Sequence, residues 1–420
     1  MIFSRVLGPK KDLLVLAKTV LWKPIVFFIL KLKVYIKYRS LYIKERVIGM
    51  KNVLTYCIIG AGNGGIAMSG YIASKGYKVN LYNRSIETIS ELIENPVIYL
   101  EGEETGEGRL NLVTDKIEEA ILGADIIMVT IPAIGHNDIA KEMAPYLKDG
   151  QIIVLNPGRT GGALEVYETL LRERKRNNII VGEAQTFIYA ARAEGNTAYI
   201  YKTKKEVSIA TIPATKTEHV IELLNHVYPQ FIGARDVLET SINNYGAIFH
   251  PTPTILNCGL IERGEEFNYY TDGITKTVAN ILEKMDSERI ELGMRLGVET
   301  VSARVWLYES YGAKGESIYE SVQNNPAYQD LKAPGTLNTR YVHEDVPYSL
   351  VPMESIAKWV GMETPAISAI IDMACMMFDK DFREEGRTAD KLGLEGLTID
   401  EMHMLAREGK ISASRMWGVV

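Results

Sequence analysis

Residues Tyr56–Asn83 read YCIIGAGNGGIAMSGYIASKGYKVNLYN, and this stretch decides the fold. Its opening apolar run is typical of a buried parallel strand. The run leads directly into Gly60, Gly62 and Gly65, which form a GxGxxG pattern. In such loops the glycines make a tight turn, let the backbone approach a pyrophosphate and allow close contact between helix and strand. Helix formers follow, and Lys78–Tyr82 reads as a second strand. The stretch therefore predicts a βαβ unit that binds a dinucleotide.

The glycine loop and the strand ends beyond it supply the predicted cofactor contacts. Chains that use NAD usually carry Asp or Glu at the end of the second strand, where the carboxylate accepts hydrogen bonds from the ribose hydroxyls. This chain has Asn83 there, followed by Arg84. A forked guanidinium pairs well with a 2′-phosphate, so we predict NADP in preference to NAD. The alternative is that Arg84 is only a solvated turn residue. The predicted cofactor-binding residues are Gly60, Gly62, Asn63, Gly64, Gly65, Asn83, Arg84, Pro132 and Asn156.

Strand and helix patterns alternate after this unit. The segments Ala124–Thr130, Gln151–Leu155 and Ile179–Val181 are apolar and read as buried strands. We therefore predict an α/β protein whose N-terminal domain is a Rossmann doubly wound sheet. From about Arg235 the pattern changes to long helical runs such as Lys276–Leu296, which predict a mainly α-helical C-terminal domain. The predicted domains are a basic apolar extension over residues 1–50, an NAD(P)-binding Rossmann domain over residues 51–235 and a helical substrate domain over residues 236–420.

Composition narrows the class of protein. The chain has 420 residues and a net charge of −6, so it is long enough for two domains and too acidic to favour nucleic acid as a partner. Cys57, Cys258 and Cys375 are widely spaced, so they predict neither a metal site nor a disulfide framework. A reducing cytoplasm is the expected location. The oligomeric state stays open, with a homodimer as one option.

The first fifty residues differ in charge from the rest of the chain. They contain eleven Lys and Arg against two acids, a net charge of +9. Lysines interrupt every apolar run, so this segment lacks the roughly 20 apolar residues that a bilayer span requires. Three interpretations stay open: a basic anchor on a membrane surface, a docking arm, or sequence upstream of a start at Met50. We favour the arm or the later start over membrane contact.

Six histidines limit the candidates for acid–base catalysis. His136 lies on a loop near the predicted cofactor site. His250 closes a helical run, Ser241–Phe249, and precedes Pro251. Residues before proline avoid helical geometry, so we expect the chain to break at His250 and present the imidazole from irregular backbone. A histidine buried in the core is the alternative interpretation.

Three motifs in the second half of the chain go together. Residues 243–251 read NNYGAIFHP, residues 340–347 read RYVHEDVP, and residues 382–388 read FREEGRT. These motifs resemble those of the octopine/nopaline (opine) dehydrogenases, which are NAD(P)-dependent oxidoreductases, and the resemblance covers about Val53–Leu397. It implies that His250 and Asp345 form a catalytic dyad and that Arg340 holds a substrate carboxylate. It also implies reductive condensation of an amino acid with a 2-oxo acid, and the reverse oxidation, between a cofactor domain and a helical substrate domain.

The residue types suit this chemistry. Forming and dehydrating a carbinolamine needs proton transfer near neutral pH, which histidine provides, and Asp345 would orient His250. A structural ion pair is the alternative role for Arg340, and His343 is a weaker competitor for the catalytic histidine. Two other functions stay open. One is a reductase of 2-oxo acids or sugar-phosphate ketones in the 6-phosphogluconate-dehydrogenase-like group, with Lys276 as its acid/base. The other is a dinucleotide sensor without catalysis.

Overall fold

The computed structural model describes residues 54–174 and 178–410. The predicted basic extension over residues 1–50 lies outside the described residues. Within those ranges, twelve strands form two sheets. The strands are β1 (Thr55–Ile59), β2 (Lys78–Tyr82), β3 (Val97–Gly102), β4 (Gly106–Arg109), β5 (Leu112–Thr114), β6 (Ile126–Val129), β7 (Ile152–Leu155), β8 (Ile180–Ala184), β9 (Tyr189–Glu194), β10 (Thr197–Thr203), β11 (Val207–Ile212) and β12 (Phe231–Gly233).

The larger sheet has eight strands in the order β12-β11-β8-β7-β6-β1-β2-β5. Neighbouring strands are parallel except β8 and β11, which run antiparallel. Every residue of β6 and β7 is buried, as expected for central parallel strands with helices on both faces. The prediction of an N-terminal Rossmann doubly wound sheet is therefore confirmed. Its carboxyl edge, where parallel sheets bind ligands, carries the ends of β1, β6 and β7.

The smaller sheet was not predicted from the sequence. Its four strands lie in the order β4-β3-β10-β9, and β3 pairs with β10 in parallel. Each of the two flanking pairs is an antiparallel hairpin. Alternate residues of β9 are exposed, and the hairpin of β9 and β10 contacts the glycine loop, because Asn63 Oδ1 accepts a hydrogen bond of 2.9 Å from the Ala193 backbone N–H.

Helices surround the larger sheet and form most of the chain after β12. In the first half they span Asn63–Ser74, Ile86–Glu94, Ile117–Ile121, His136–Met143, Gly162–Arg174 and Thr217–Leu224. In the second half they span Val237–Ile242, Gly246–Phe249, Pro251–Leu256, Cys258–Glu262, Lys276–Leu296, Ala303–Tyr311, Ile318–Gln323, Arg340–His343, Val351–Trp359, Pro365–Phe378, Phe382–Glu385 and Ile399–Glu408. Short 3₁₀ turns cover Ala133–Gly135, Ala214–Lys216 and Pro326–Tyr328, and one π-helical turn covers Val346–Leu350.

The helical second half confirms the predicted fold class, and the longest helix has the predicted bounds. That helix, Lys276–Leu296, begins where Thr275 caps it by accepting from the Val278 backbone N–H, and it ends at Gly297 with φ of 65°. One apolar core extends from Ile127 of the larger sheet to Leu282 of this helix. Among the described residues, no helix combines the length and apolar character that crossing a membrane requires.

Candidate active site

His250 and Asp345 lie together at the centre of the site. His250 Nδ1 is 2.9 Å from Asp345 Oδ2, and the carboxylate is fully buried while the imidazole is 22% exposed. An ionised carboxylate only accepts hydrogen bonds, so Nδ1 donates and the lone pair of neutral His250 lies on Nε2. The ring of Tyr341 stacks on the imidazole with centroids 4.4 Å apart. The arrangement fixes both the orientation and the tautomer of His250.

Asp345 is held by more than the histidine. The hydroxyl of Ser349 donates to Asp345 Oδ1 over 3.1 Å, and Asn244 donates to the Ser349 oxygen over 2.9 Å. Asn244 belongs to the NNYGAIFHP motif, so the two motifs are joined by hydrogen bonds in addition to the histidine–aspartate contact. A π-helical turn follows Asp345 directly, and such turns often occur at functional sites.

The backbone at His250 agrees with the prediction only in part. We expected irregular geometry before Pro251, but His250 has φ of −100° and ψ of −58°, which is helical. It joins the helix Gly246–Phe249 to the helix Pro251–Leu256. A helix therefore does end before His250, as predicted, and a further break lies earlier, at Asn243 and Asn244, within the run predicted as one helix. Proline at the first position of a new helix needs no N–H partner, so the second helix can begin at Pro251 without losing a hydrogen bond.

Arg159 belongs to the site and was missed by sequence reasoning. Its guanidinium lies 3.0 Å from Asp345 Oδ1 and 3.0 Å from Glu344 Oε2. Burial alone would lower the pKa of Arg159, but Asp345 and Glu344 outweigh it and raise that pKa. Arg159 also has φ of 63°, which is uncommon for a residue with a side chain and is a sign of functional constraint. The available signal was its position, in the loop directly after a strand predicted to end at the ligand edge.

Gly246 lies where a side chain would crowd this arrangement. A Cβ at that position would lie 2.9 Å from Arg159 Nη1 and 3.3 Å from His250 Cε1. The glycine of the histidine motif therefore makes room for the guanidinium beside the imidazole.

Arg340 forms an ion pair with Glu344, the residue that precedes Asp345. Its Nε and Nη2 lie 2.8 and 2.7 Å from Glu344 Oε2, and the arginine side chain is 61% exposed. Glu344 also accepts a 2.9 Å hydrogen bond from the Ala133 backbone N–H in the loop after β6. Burial alone would raise the pKa of Glu344, but Arg159 and Arg340 lower it to about 2. Thr339 caps the short helix that carries Arg340 and so places it in the first turn. Glu344 is the second residue that sequence reasoning missed.

Three other residues considered from the sequence, His343, Lys276 and His136, have neighbours other than the dyad. His343 packs against Phe378 and Phe382, with ring centroids 4.8 and 5.8 Å away. Lys276 is exposed at the start of its helix, and its ammonium lies 5.7 Å from the Tyr319 ring centroid. His136 is fully buried, and its Nδ1 accepts a 2.9 Å hydrogen bond from Arg387. Burial and then the charge of Arg387 lower the pKa of His136 to about 3.

The glycine loop has the shape that a dinucleotide needs. Gly60 has φ of 104°, which favours glycine, and it makes the turn after β1. A Cβ on Gly65 would lie 1.7 Å from the Gly60 carbonyl oxygen, so helix and strand can meet only without one. Around Gly62, by contrast, no atom of the described residues lies within 4 Å of a Cβ built there. That open space lies at the N-terminus of the helix Asn63–Ser74, where phosphates bind, so the residues present fit the cofactor.

The other predicted cofactor residues lie near this loop or along the same edge. Asn83 Oδ1 accepts from the Ala61 backbone N–H over 3.0 Å, so Asn83 supports the loop. Arg84 is exposed beside it. Pro132 follows β6, and Asn156 follows β7 with its amide bonded to the Val154 carbonyl. Gly64 faces Phe187 of the segment after β8, since a Cβ there would lie 2.6 Å from Phe187 Cζ.

Comparisons with known proteins agree with this geometry. Residues 233–378 match a family model described as NAD/NADP octopine/nopaline dehydrogenase, alpha-helical domain. Residues 55–181 match one described as NAD-dependent glycerol-3-phosphate dehydrogenase N-terminus. An opine dehydrogenase of Arthrobacter sp. (strain 1C) is 40% identical over 346 residues, which cover 82% of this chain and 96% of that protein.

Two solved structures share the fold at lower identity. A structure titled for octopine dehydrogenase with NADH and L-arginine matches with a TM-score of 0.73 and 22% identity, covering 86% of this chain and 99% of the other. A yersinopine dehydrogenase with NADP⁺ bound matches with a TM-score of 0.62 and 16% identity, covering 85% and 98%. The Arthrobacter protein is 40% identical to this chain over 96% of its own length. This identity, together with the match to the octopine/nopaline dehydrogenase family model, shows that the chain belongs to the opine dehydrogenase family of NAD(P)-dependent oxidoreductases.

Proposed function

We propose that this protein catalyses the NAD(P)H-dependent reductive condensation of an amino acid with a 2-oxo acid, and the reverse oxidation, with His250 as acid/base. The observation that carries this proposal is the hydrogen bond between His250 and Asp345 beside the carboxyl edge of the sheet. Family membership supports the reaction class.

His250 would move the protons of the condensation. Its Nε2 lone pair takes a proton from the substrate ammonium, and the free amine then attacks the carbonyl carbon of the 2-oxo acid. A proton moves from nitrogen to oxygen within the adduct to give the carbinolamine. The imidazolium then gives its proton to the carbinolamine hydroxyl, which leaves as water, and a protonated imine forms. Asp345 stabilises the imidazolium and keeps Nε2 directed away from the carboxylate. A reduced nicotinamide, when bound, would supply the hydride that converts the protonated imine to a secondary amine.

Arg340 is proposed to hold one substrate carboxylate. Its side chain is more than half exposed, so a ligand can reach it, and a guanidinium fork suits a carboxylate. The ion pair with Glu344 keeps the fork in place, and a substrate carboxylate would share it with that acid. Arg159 takes a positioning role in this proposal, because its charge lies against the dyad acid.

For the cofactor we propose NADP in preference to NAD. The support is Arg84, which is exposed at the end of β2, with Asn83 where a carboxylate would repel a 2′-phosphate. We also propose a domain boundary near residue 235 and a cytoplasmic location. The support for that location is that Cys57, Cys258 and Cys375 are all free thiols.

A substrate matrix tests the function. Purified protein is incubated with NADPH or NADH, each of a set of 2-oxo acids, and each amino acid or no amine, while absorbance at the nicotinamide band is followed. Oxidation that requires both an amino acid and a 2-oxo acid is the expected result. Oxidation with the oxo acid alone would instead indicate a lysine-dependent ketone reductase. Cofactor binding without turnover across the whole matrix would indicate a sensor.

A further inference from the structure

Lys204 is a charged residue near the site that contacts neither the dyad nor its partners Arg159, Glu344 and Arg340. It follows β10, and its backbone N–H donates to the Ile188 carbonyl over 2.9 Å. Its ammonium donates to Thr186 Oγ1 over 2.6 Å. The side chain is partly buried, and the structure records no ion pair for it among residues 54–174 and 178–410. An ammonium has three donors, so Lys204 has capacity for an anion.

The segment that holds Lys204 connects the two halves of the site. Thr186 lies between Gln185 and Phe187 in the segment after β8. The amide of Gln185 donates to the Asn243 carbonyl over 2.6 Å, at the start of the histidine motif. Phe187 packs against Gly64 of the glycine loop. Lys204 is therefore anchored between the residues that fit the cofactor and those that carry the dyad.

The charges around Lys204 also favour an anionic ligand. Burial and the nearby positive charge of Arg159 lower the pKa of Lys204 to about 8. Arg159 already has two carboxylate partners, Asp345 and Glu344. Lys204 therefore lies close to a second cation, and within the described part of the chain no acid pairs with it. A bound carboxylate would supply the missing counter-charge.

The proposed reaction needs two carboxylate sites, since an amino acid and a 2-oxo acid each carry one. Arg340 accounts for one of them. Resting on that proposed function, we infer that Lys204 binds the second substrate carboxylate and so helps to decide which carboxylates are accepted. A cofactor phosphate would offer similar chemistry, so the test separates the two sources.

The test replaces the charge and keeps the neighbouring contacts. Lys204→Met removes the ammonium, Lys204→Gln keeps a donor for Thr186, and Lys204→Arg keeps the charge. Lys205→Met is the matched control, because Lys205 is the next residue and is exposed. For each variant we measure KM for the amino acid and the 2-oxo acid, kcat, and the Kd of NADPH and NADH by fluorescence.

We expect Lys204→Met and Lys204→Gln to raise KM about ten- to a hundredfold for one of the two carboxylate substrates. The Kd of both cofactors should stay within about twofold of the wild type. Lys204→Arg should recover part of the affinity, and Lys205→Met should behave as wild type. Replacing the affected substrate by its analogue without the carboxylate should erase the difference between wild type and variant, which a merely structural role would not do.

Other outcomes overturn the inference. A weaker Kd for the cofactors with unchanged KM values would assign Lys204 to the cofactor phosphates. Unchanged KM values in a folded Lys204→Gln protein would leave no role for the ammonium in binding. Failure of the wild-type protein to turn over any pair of amino acid and 2-oxo acid would instead contradict the proposed function, so the two failures are distinguishable.

Discussion

Arg159 lies 3.0 Å from Asp345 Oδ1, the carboxylate oxygen that His250 does not contact. The dyad acid therefore has a basic side chain on each oxygen, in addition to the Ser349 hydroxyl on Oδ1. One comes from the loop after β7 and the other from the junction of two short helices. The Asp345 carboxylate is fully buried, so its negative charge needs a partner inside the protein. Arg159 balances that charge even when His250 is neutral. The histidine can then cycle between neutral and charged forms without leaving an isolated buried charge.

Replacing either member of the dyad should stop catalysis without affecting the cofactor. We expect His250→Ala to lower kcat by roughly two to four orders of magnitude, because proton transfer is lost. Asp345→Asn should be severe as well, and the double variant little worse than the more affected single variant. Stopped-flow turnover and cofactor Kd are the measurements. His343→Ala is the control, since this histidine packs on Phe378 instead. Near-normal turnover in His250→Ala together with an inactive Lys276→Ala would favour the lysine-dependent reductases.

The sequence predicted the parts of the fold that have strong local patterns. β1, β6 and β7 are runs of apolar residues that parallel strands require, and the glycine loop has physical constraints at fixed spacing. The smaller sheet was missed although β3 (VIYLEG) and β10 (TAYIYKT) are rich in β-branched and aromatic residues, because its pairing joins segments far apart in the chain and one of its strands has no strand pattern. β4 reads GEGR, which is typical of a turn, and it becomes a strand only by pairing with β3.

The site was predicted only where a motif marks it. His250 and Asp345 were named through the family resemblance, and the structure brings them together although 95 positions separate them. Arg159 was missed because its role depends on two acids far along the chain, which no local pattern indicates. The helical backbone at His250 was mispredicted because a new helix starting at Pro251 offsets the usual avoidance.

Arg340 gives a prediction about substrate affinity. Arg340→Ala should raise KM for one carboxylate substrate about ten- to a hundredfold, because a charge-assisted hydrogen bond is lost. The matched control is Lys358→Ala. Lys358 is also an exposed cation, 59% exposed, paired with a buried glutamate four residues earlier, Glu354. Steady-state kinetics with each substrate varied in turn measure the effect. Equal KM values in the wild type and Arg340→Ala would leave Arg340 as a structural ion pair.

Arg84 tests the choice between NADP and NAD. Arg84→Ala should weaken NADPH about ten- to a hundredfold and change NADH little, because only NADPH carries the 2′-phosphate. Lys78→Ala is the control, since Lys78 is exposed at the opposite end of the same strand. Titration of both cofactors by fluorescence gives the ratio. A similar loss for NADH and NADPH would contradict the NADP preference.

Two glycines of the loop should respond differently to alanine. Gly62 has ordinary backbone angles and open space where a Cβ would lie, so Gly62→Ala should fold with stability within about 1 kcal/mol of the wild type. The added methyl group would occupy the space left for the pyrophosphate, and cofactor affinity should drop. Gly65→Ala should lower stability instead, because its Cβ would overlap the Gly60 carbonyl. Denaturant unfolding and cofactor titration separate the two effects, and unchanged affinity in folded Gly62→Ala would place the cofactor elsewhere.

His136 gives a prediction about pH and stability. Its pKa falls from 6.5 to about 3 on folding, so below pH 6.5 the unfolded chain binds one more proton than the folded chain. The stabilisation is complete above pH 6.5 and is lost as the pH falls towards 3, at about 1.4 kcal/mol per pH unit. Between pH 6.5 and pH 5 the titration of His136 therefore lowers the free energy of unfolding by about 2 kcal/mol.

The measurement for His136 is the free energy of unfolding by denaturant at pH 7 and pH 5. His136→Gln keeps an acceptor for Arg387 and cannot titrate, so it should lose less stability over this interval than the wild type. His219→Gln, at an exposed position, is the control and should lose as much as the wild type. Glu344 does not contribute to the difference between pH 7 and pH 5. Its pKa is lowered from 4.5 to about 2, so its effect on stability appears only when the pH falls below 4.5. Identical pH dependence in all three proteins would show that His136 does not titrate as described.

The smaller sheet has a consequence for the order in which the chain folds. β3 and β4 form one hairpin and β9 and β10 another, and each can close locally within a few residues of turn. The seam between them pairs Thr197 with Tyr99, so about a hundred residues must be looped out before it can close. Four of the eight strands of the larger sheet, β5 to β8, lie inside that loop, and ordering them shortens the distance the seam has to bridge. The hairpins should therefore form early and their seam late, which makes completion of the region around the glycine loop one of the slow steps of folding.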